Sequence, residues 1–205
     1  MNLTCESTRW PIRHLLRLLE TGALLPAGAA GGPDWTGGQQ ALLFASLEAG
    51  WPTGQLLAWN PGGPGPLWHL LDGHRRALTV LALIATGDGG LLRDLTADQP
   101  TYLPTYHAAD GLYLPVNAMR FTTRFLAATR SLPPATLRRA EQHAHQVLHA
   151  AFDVVALRGG TPAQIVAVCA RLVPGRVDPA VVHTIAAGRP RHDSSFSPPP
   201  AARAH

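Results

Sequence analysis

Five consecutive residues, Asp72-Gly73-His74-Arg75-Arg76, concentrate the chemistry of this chain. They stand between an apolar stretch (Trp68, Leu70, Leu71) and an apolar-periodic run, Ala77, Leu78, Val80, Leu81, Leu83 and Ile84. That order spells strand, tight turn, helix. Asp72 is placed to cap the helix, because its carboxylate can accept from the free N–H groups of the first turn. Gly73 permits the turn and a close approach of ligand to backbone. His74, Arg75 and Arg76 then fall in the first helical turn, where each guanidinium opposes the helix dipole by roughly 0.3–1 kcal/mol. A bound anion reverses that sign, since free N–H groups and guanidinium forks are both phosphate ligands. Without an anion, the same arginines would point to solvent or pair with acids elsewhere. The phosphate reading makes Gly73, Arg75 and Arg76 the phosphate-binding set. Asp72, His74 and Arg75 are then the expected catalytic groups, Asp72 holding Mg²⁺ or a water and His74 acting as acid or base near neutral pH. Phosphoryl transfer needs mainly positioning and charge neutralisation, so such a sparse set is sufficient in principle.

A second constellation is EQHAHQVLH, Glu141 to His149. His145 and His149 are four apart on one helix face, a spacing that can hold a transition metal, and Glu141 continues that face. His143 falls on another side, and the sequence supplies no third or fourth ligand. Asn117, Arg120 and Arg124 are further polar candidates. Tyr102, Tyr106, His107 and Asp110 form a polar-aromatic stretch, either a lid over a ligand or an ordinary surface loop.

Composition narrows the chemistry. All 17 basic residues are arginine. The absence of lysine removes a Walker A lysine, a Schiff base and a lysine general base. The net charge of +4 is mild and the basic residues are scattered. That suits an anionic ligand and argues only weakly for nucleic acid. Two cysteines, Cys5 and Cys169, give neither a disulfide framework nor a metal-site spacing. No apolar run reaches the ~18–20 residues of a membrane span, and no signal-peptide pattern opens the chain. A cytoplasmic protein without a membrane role is expected.

The elements that must position these residues can be read in order. Trp10-Pro11 precedes a helix whose apolar face is Ile12, Leu15, Leu16, Leu18 and Leu19, ended by Gly22. Residues 1–9 read as a frayed or extended start. Residues 36–50 read as a second helix closed by Gly50. Gln55–Trp59 and Leu67–Leu71 are short strands joined by a Gly/Pro-dense connection, and an antiparallel hairpin is expected of them. Trp59 and Trp68 are expected to pack in the core. Residues 88–110 show turn signals and no period. Leu112–Val116 reads as an edge strand, because Pro115 cannot donate to a ladder. Helices are expected over 117–129, 135–151, 162–172 and 178–187, with a strand at Phe152–Leu157. The fold class is α+β, a small mixed sheet with flanking helices. One domain over 1–187 is expected, followed by a Pro/Ser/Arg tail, 188–205, with little to bury.

The run from Leu24 to Ile84 resembles the DUF262 domain, the N-terminal domain of GmrSD-type modification-dependent restriction proteins. The residues that carry the resemblance are Pro26, Trp35, GQQALLFASLEAG, WPTGQLLAW and, above all, Asp72-Gly73-His74-Arg75-Arg76, which is similar to that family's DGQQR turn. The strand FDVVALRGG and the helix TPAQIVAVCARLV extend it. The likeness covers roughly residues 20–178, most strongly 36–84. Two family positions depart: no Gln-Arg pair stands between Pro26 and Trp35, and Val173 replaces an asparagine. The wider ParB and sulfiredoxin group uses a Gly-X-X-Arg turn at a helix start to bind nucleotide phosphates. The resemblance therefore implies a ParB/sulfiredoxin-like fold and a nucleotide ligand, a nucleoside triphosphate with Mg²⁺.

Three functions follow as expectations. The first is a nucleotide-dependent enzyme that hydrolyses or transfers a phosphoryl group, with a small molecule in specialised metabolism as acceptor. The second is a non-catalytic nucleotide- or DNA-binding module of a defence system, which the two departures favour. The third is a metal- or haem-dependent protein built on His145 and His149. A homo-oligomer is compatible with all three.

Overall fold

The computed structural model describes residues 2–27, 35–62, 68–86, 90–107 and 111–188. In chain order the elements are β1 (Thr4–Pro11), α1 (Ile12–Glu20), β2 (Leu24–Pro26), α2 (Gly37–Ala49), β3 (Leu56–Asn60), β4 (Trp68–Asp72) and α3 (His74–Leu81). They continue with β5 (Leu91–Asp94), β6 (Tyr102–Pro104), β7 (Tyr113–Pro115), α4 (Thr122–Thr129), α5 (Pro134–His149), β8 (Ala151–Arg158), α6 (Pro162–Leu172) and α7 (Pro179–Ala186). The α+β class with flanking helices is the one the chain adopts.

Two sheets stand where one was expected. The larger has five strands in the order β1-β8-β3-β4-β2, and the smaller three in the order β6-β5-β7. The larger sheet is mixed: β1 runs antiparallel to β8, β8 parallel to β3, β3 antiparallel to β4, and β4 parallel to β2. The expected β3–β4 hairpin is present, with a register shift between Leu57 and Ala58. Of the two readings for the start, the extended one holds: it is an edge strand, paired along its whole length from Thr4↔Arg158 to Pro11↔Ala151. Its sequence is polar because four of its first residues are exposed, so no apolar alternation announces it. Residues 88–110 hold β5 and β6, four- and three-residue strands too short to show a period. The expected helix over 117–129 starts later, at Thr122, after a single 3₁₀ turn at Val116–Ala118.

Side chains on the larger sheet alternate between two cores, as a pleat demands. Leu56, Ala58, Leu70, Phe152, Val154 and Ala156 join the helical layer that includes Leu15, Leu16, Phe44, Ala77, Val80 and Val147. The small sheet adds Leu91, Tyr102 and Leu114 to that same core. Leu57, Trp59, Leu71, Val155 and Leu157 face the other way, onto Ile165 and Cys169 of α6 and Val182 of α7. The larger sheet is thus the middle of three layers. Trp59 and Trp68 are both core residues, Trp59 with its indole N–H donating to the Gly159 carbonyl at 2.9 Å.

Local signals set several boundaries. Thr36 and Gln39 form a reciprocal capping box at α2, and Thr161 and Gln164 do the same at α6. Gly50 closes α2 in the left-handed region, with φ of 71°. A structureless tail was expected after residue 187; beyond Gly188 it lies outside the described residues.

Candidate functional site

The Asp72–Arg76 turn sits where β4 ends and α3 begins, at the end of the larger sheet where β3 starts. Gly73 itself is the cap residue of α3, with φ of 88° and ψ of 14°. The expected Asp72 cap is not made, and no side chain caps this helix. Asp72 points instead toward the connection between α6 and α7, where its Oδ2 lies 3.6 Å from Nη1 of Arg176. The register shift in the hairpin places Asp72 opposite Leu57.

The three residues after Gly73 divide into two that hold the turn and one that faces out. His74 is mostly covered, and its Nε2 accepts from the Ala27 N–H at 3.2 Å, tying α3 to the end of β2. Burial pulls its pKa below the usual imidazole value, against the opposing pull of the Leu70 backbone and the Asp72 charge. Burial thus favours the neutral ring, with its Nε2 edge engaged by backbone. Arg76 turns back over the hairpin. Its Nη1 donates to the Thr53 carbonyl and its Nη2 to the Gln55 carbonyl, each at 2.6 Å. Gly54 lies between those carbonyls with φ of 79°, and a Cβ there would stand 2.1 Å from Nη1. Only glycine lets the guanidinium lie flat on this loop. Arg75 is exposed and engages no partner among the described residues.

The Arg76 clamp fixes the loop that leads from α2 into β3. A hydrogen bond from a charged group contributes about 1.5–3 kcal/mol net, and less where, as at Gln55, the bond is exposed to water. We expect Arg76→Ala to lower stability by about 2–3 kcal/mol in thermal unfolding, with Arg76→Lys recovering only part, because an ammonium cannot span two carbonyls as a planar fork does.

Arg176 was not expected from sequence. It follows Gly175, which turns with φ of 71°, and its side chain is two-thirds exposed beside Asp72. Cys169 lies close to the same carboxylate and is buried; burial, and then Asp72, push its thiol up to about 11, so it is no nucleophile.

The other sequence candidates lie apart from the turn. His145 and His149 stack face to face, ring centroids 4.0 Å apart, on the exposed side of α5. Among the described residues no group of three His, Cys, Asp or Glu side chains could hold a metal. Arg120 pairs with Glu20 through a two-pronged contact, and both Arg120 and Arg124 lie over the Phe121 ring. Tyr106 is exposed, and Asp110 lies outside the described residues.

Tyr102 and His143 belong to a buried cluster that sequence reasoning missed. Glu48 of α2 receives Arg93 Nε at 2.9 Å, Arg93 Nη2 at 3.0 Å and the Tyr102 hydroxyl at 2.6 Å. His143 Nδ1 lies 2.7 Å from the same carboxylate. Arg93 also donates to the Asp94 carbonyl. The Arg93 side chain is 0% and that of Glu48 3% exposed, so both charges are fully inside. Burial pushes the Glu48 carboxyl up, but the contacts from His143, Arg93 and Tyr102 outweigh it and hold it at about 2. The cluster ties the small sheet to α2 and α5.

No helix among the described residues is long and apolar enough to cross a membrane. No family model and no curated protein matches this chain.

Proposed function

We propose that this protein is a nucleotide-binding module that takes the polyphosphate of its ligand at the start of α3. The observation that carries this reading is the uncapped helix opening at Gly73, with the exposed, unengaged Arg75 beside it. The first-turn N–H groups of a helix are an anion site when no side chain occupies them. His74 and Arg76 serve the site from behind, fixing the turn to β2 and to the 53–55 loop. Arg176 adds a second exposed guanidinium within reach of Asp72, and Asp72 is the group that would meet a Mg²⁺ ion carried in with the phosphates.

Binding is favoured over phosphoryl transfer by the state of His74. A general base needs a free nitrogen within hydrogen-bond reach of the proton it takes. The His74 Nε2 already accepts from the Ala27 N–H and is not free to take a proton. Turnover, if measured, would have to run through Asp72. The test is calorimetry with nucleoside triphosphates, with and without Mg²⁺, on wild type and Arg75→Ala. Removing one charge-assisted phosphate contact is expected to weaken binding by about 1.5–3 kcal/mol, roughly ten- to a hundredfold. Unchanged affinity in the variant would overturn the assignment, and phosphate release in the same samples would restore the enzymatic reading.

A further inference from the structure

Two connections meet at one end of the larger sheet, α2 into β3 and α5 into β8. Both contribute to a cavity of about 240 Å³, whose lining includes Arg9, Trp51, Thr53, His149, Ala151 and Asp153. None of its residues belongs to the Asp72–Arg76 turn. Register supplies the floor. Phe152 and Val154 turn into the helical core, so Ala151 and Asp153 face the other side of the sheet. Arg9 stands opposite Asp153 on β1 and shares that face. α6 and α7 cover this face only from Val155 onward. The single methyl of Ala151 leaves depth beside the charged pair.

The walls are held by backbone bonds. The Trp51 N–H donates to the Ser46 carbonyl at 2.8 Å, and Arg76 holds the Thr53 carbonyl. On the far side the Ile12 N–H donates to the Ala150 carbonyl at 2.8 Å. The groups that face the cavity are idle by contrast. Trp51 is 60% exposed. Among the described residues its indole N–H donates to no protein group, and its ring meets no aromatic or cationic one. Arg9 and Asp153 meet at 3.4 Å, with side chains 73% and 60% exposed. A pair of this kind contributes little to folding. Most of its guanidinium donors and carboxylate lone pairs stay open.

These features select a small zwitterion. The volume lies below the roughly 300–1,000 Å³ of drug-sized pockets. A cation and an anion side by side complement the carboxylate and the ammonium that an α-amino acid carries on one carbon. The two pairs form head to tail, and no charge is left over. The ends of α2 and α5, at Gly50 and His149, bring negative dipole charge that favours the ammonium. The open indole offers its face to an apolar side chain. We propose that this cavity binds a free α-amino acid with an apolar side chain. Arg9 takes the carboxylate, Asp153 takes the ammonium, and Trp51 covers the side chain.

The test is calorimetry on the full chain with L-leucine, L-methionine and L-phenylalanine, and with the amide and the N-acetyl form of each. No probe carries a phosphate, so the result is independent of the α3 site. At least one free amino acid is expected to bind saturably, about tenfold or more tightly than either blocked form. Arg9→Gln is expected to close the gap to the amide, and Asp153→Asn the gap to the N-acetyl form. Each gap is a ratio within one variant, so a change in stability does not move it. Trp51→Ala is expected to weaken the free amino acid by about tenfold. No saturable binding of any of the three amino acids overturns the proposal. So do free and blocked forms that bind alike, gaps that survive their variants, and an affinity indifferent to Trp51→Ala.

Discussion

Replacing Arg93 by methionine is expected to cost about 3–5 kcal/mol, because it strands the Glu48 carboxylate in the interior without its counter-ion. Three contacts from Arg93 reach that carboxylate, and neither side chain has water to fall back on. For a chain of this size such a loss lowers Tm by roughly 10 °C. The double variant Glu48→Leu with Arg93→Met should recover most of it, since removing both charges removes the desolvation cost as well. Equal destabilisation by the single and double variants in urea unfolding would show that shape, not charge, governs the cluster. The pH dependence has a definite sign. Glu48 is held at about 2 in the folded chain against an ordinary value of 4.5. A depressed carboxyl contributes stability that is fully present above its unfolded value. That contribution is lost as pH falls from about 4.5 through about 2, so Glu48→Gln should flatten the acid limb of a stability profile.

Gly73→Ala should cost about 2–4 kcal/mol. The residue lies in the left-handed region, where a side chain alone is strained by about 1–2 kcal/mol. The added Cβ would also stand 2.3 Å from the Leu56 Cδ2 and 3.0 Å from the Arg76 Nη2. Leu56 is fully buried and has nowhere to retreat. Displacing Arg76 would release the Thr53 and Gln55 carbonyls and so loosen the whole end of the sheet. Gly22→Ala is the control. It shares a positive φ, 68°, but nothing lies within 4 Å of its Cβ position, so it should cost only the backbone strain. If the two alanine variants unfold at the same temperature, the crowding at Gly73 has no energetic weight. Ligand affinity, measured below the melting temperature, should fall in Gly73→Ala and not in Gly22→Ala.

Much of the fold was legible because helix punctuation is local. Thr161, Pro162 and Gly160 delimit α6 within a few residues, and Thr36 and Gly50 bracket α2. The strand–turn–helix reading of residues 68–84 was legible for the same reason. The polar edge strand β1 was not, because its pairing with β8 lies at the far end of the chain and its residues bury almost nothing. The second sheet escaped because strands of three or four residues carry no period. Within the site, residue types were visible but their partners were not. The Thr53 and Gln55 carbonyls beneath Arg76 could not be read from the sequence, and Asp72 reads as a cap until Arg176 is seen. One signal for the buried cluster was available: Arg93 shares the inward face of its strand with Leu91, next to Leu95. An arginine at such a position needs a buried acid, and only the fold shows that Glu48 supplies it.

The central claim is that the backbone amides opening α3 bind phosphate. The direct measurement is the amide ¹H–¹⁵N spectrum of the full chain titrated with inorganic tripolyphosphate. The largest shifts are predicted at His74, Arg75 and Arg76, saturating together, and reduced in Arg75→Ala. Shifts centred on His145 and His149, or no saturable shift at the α3 start, would contradict it.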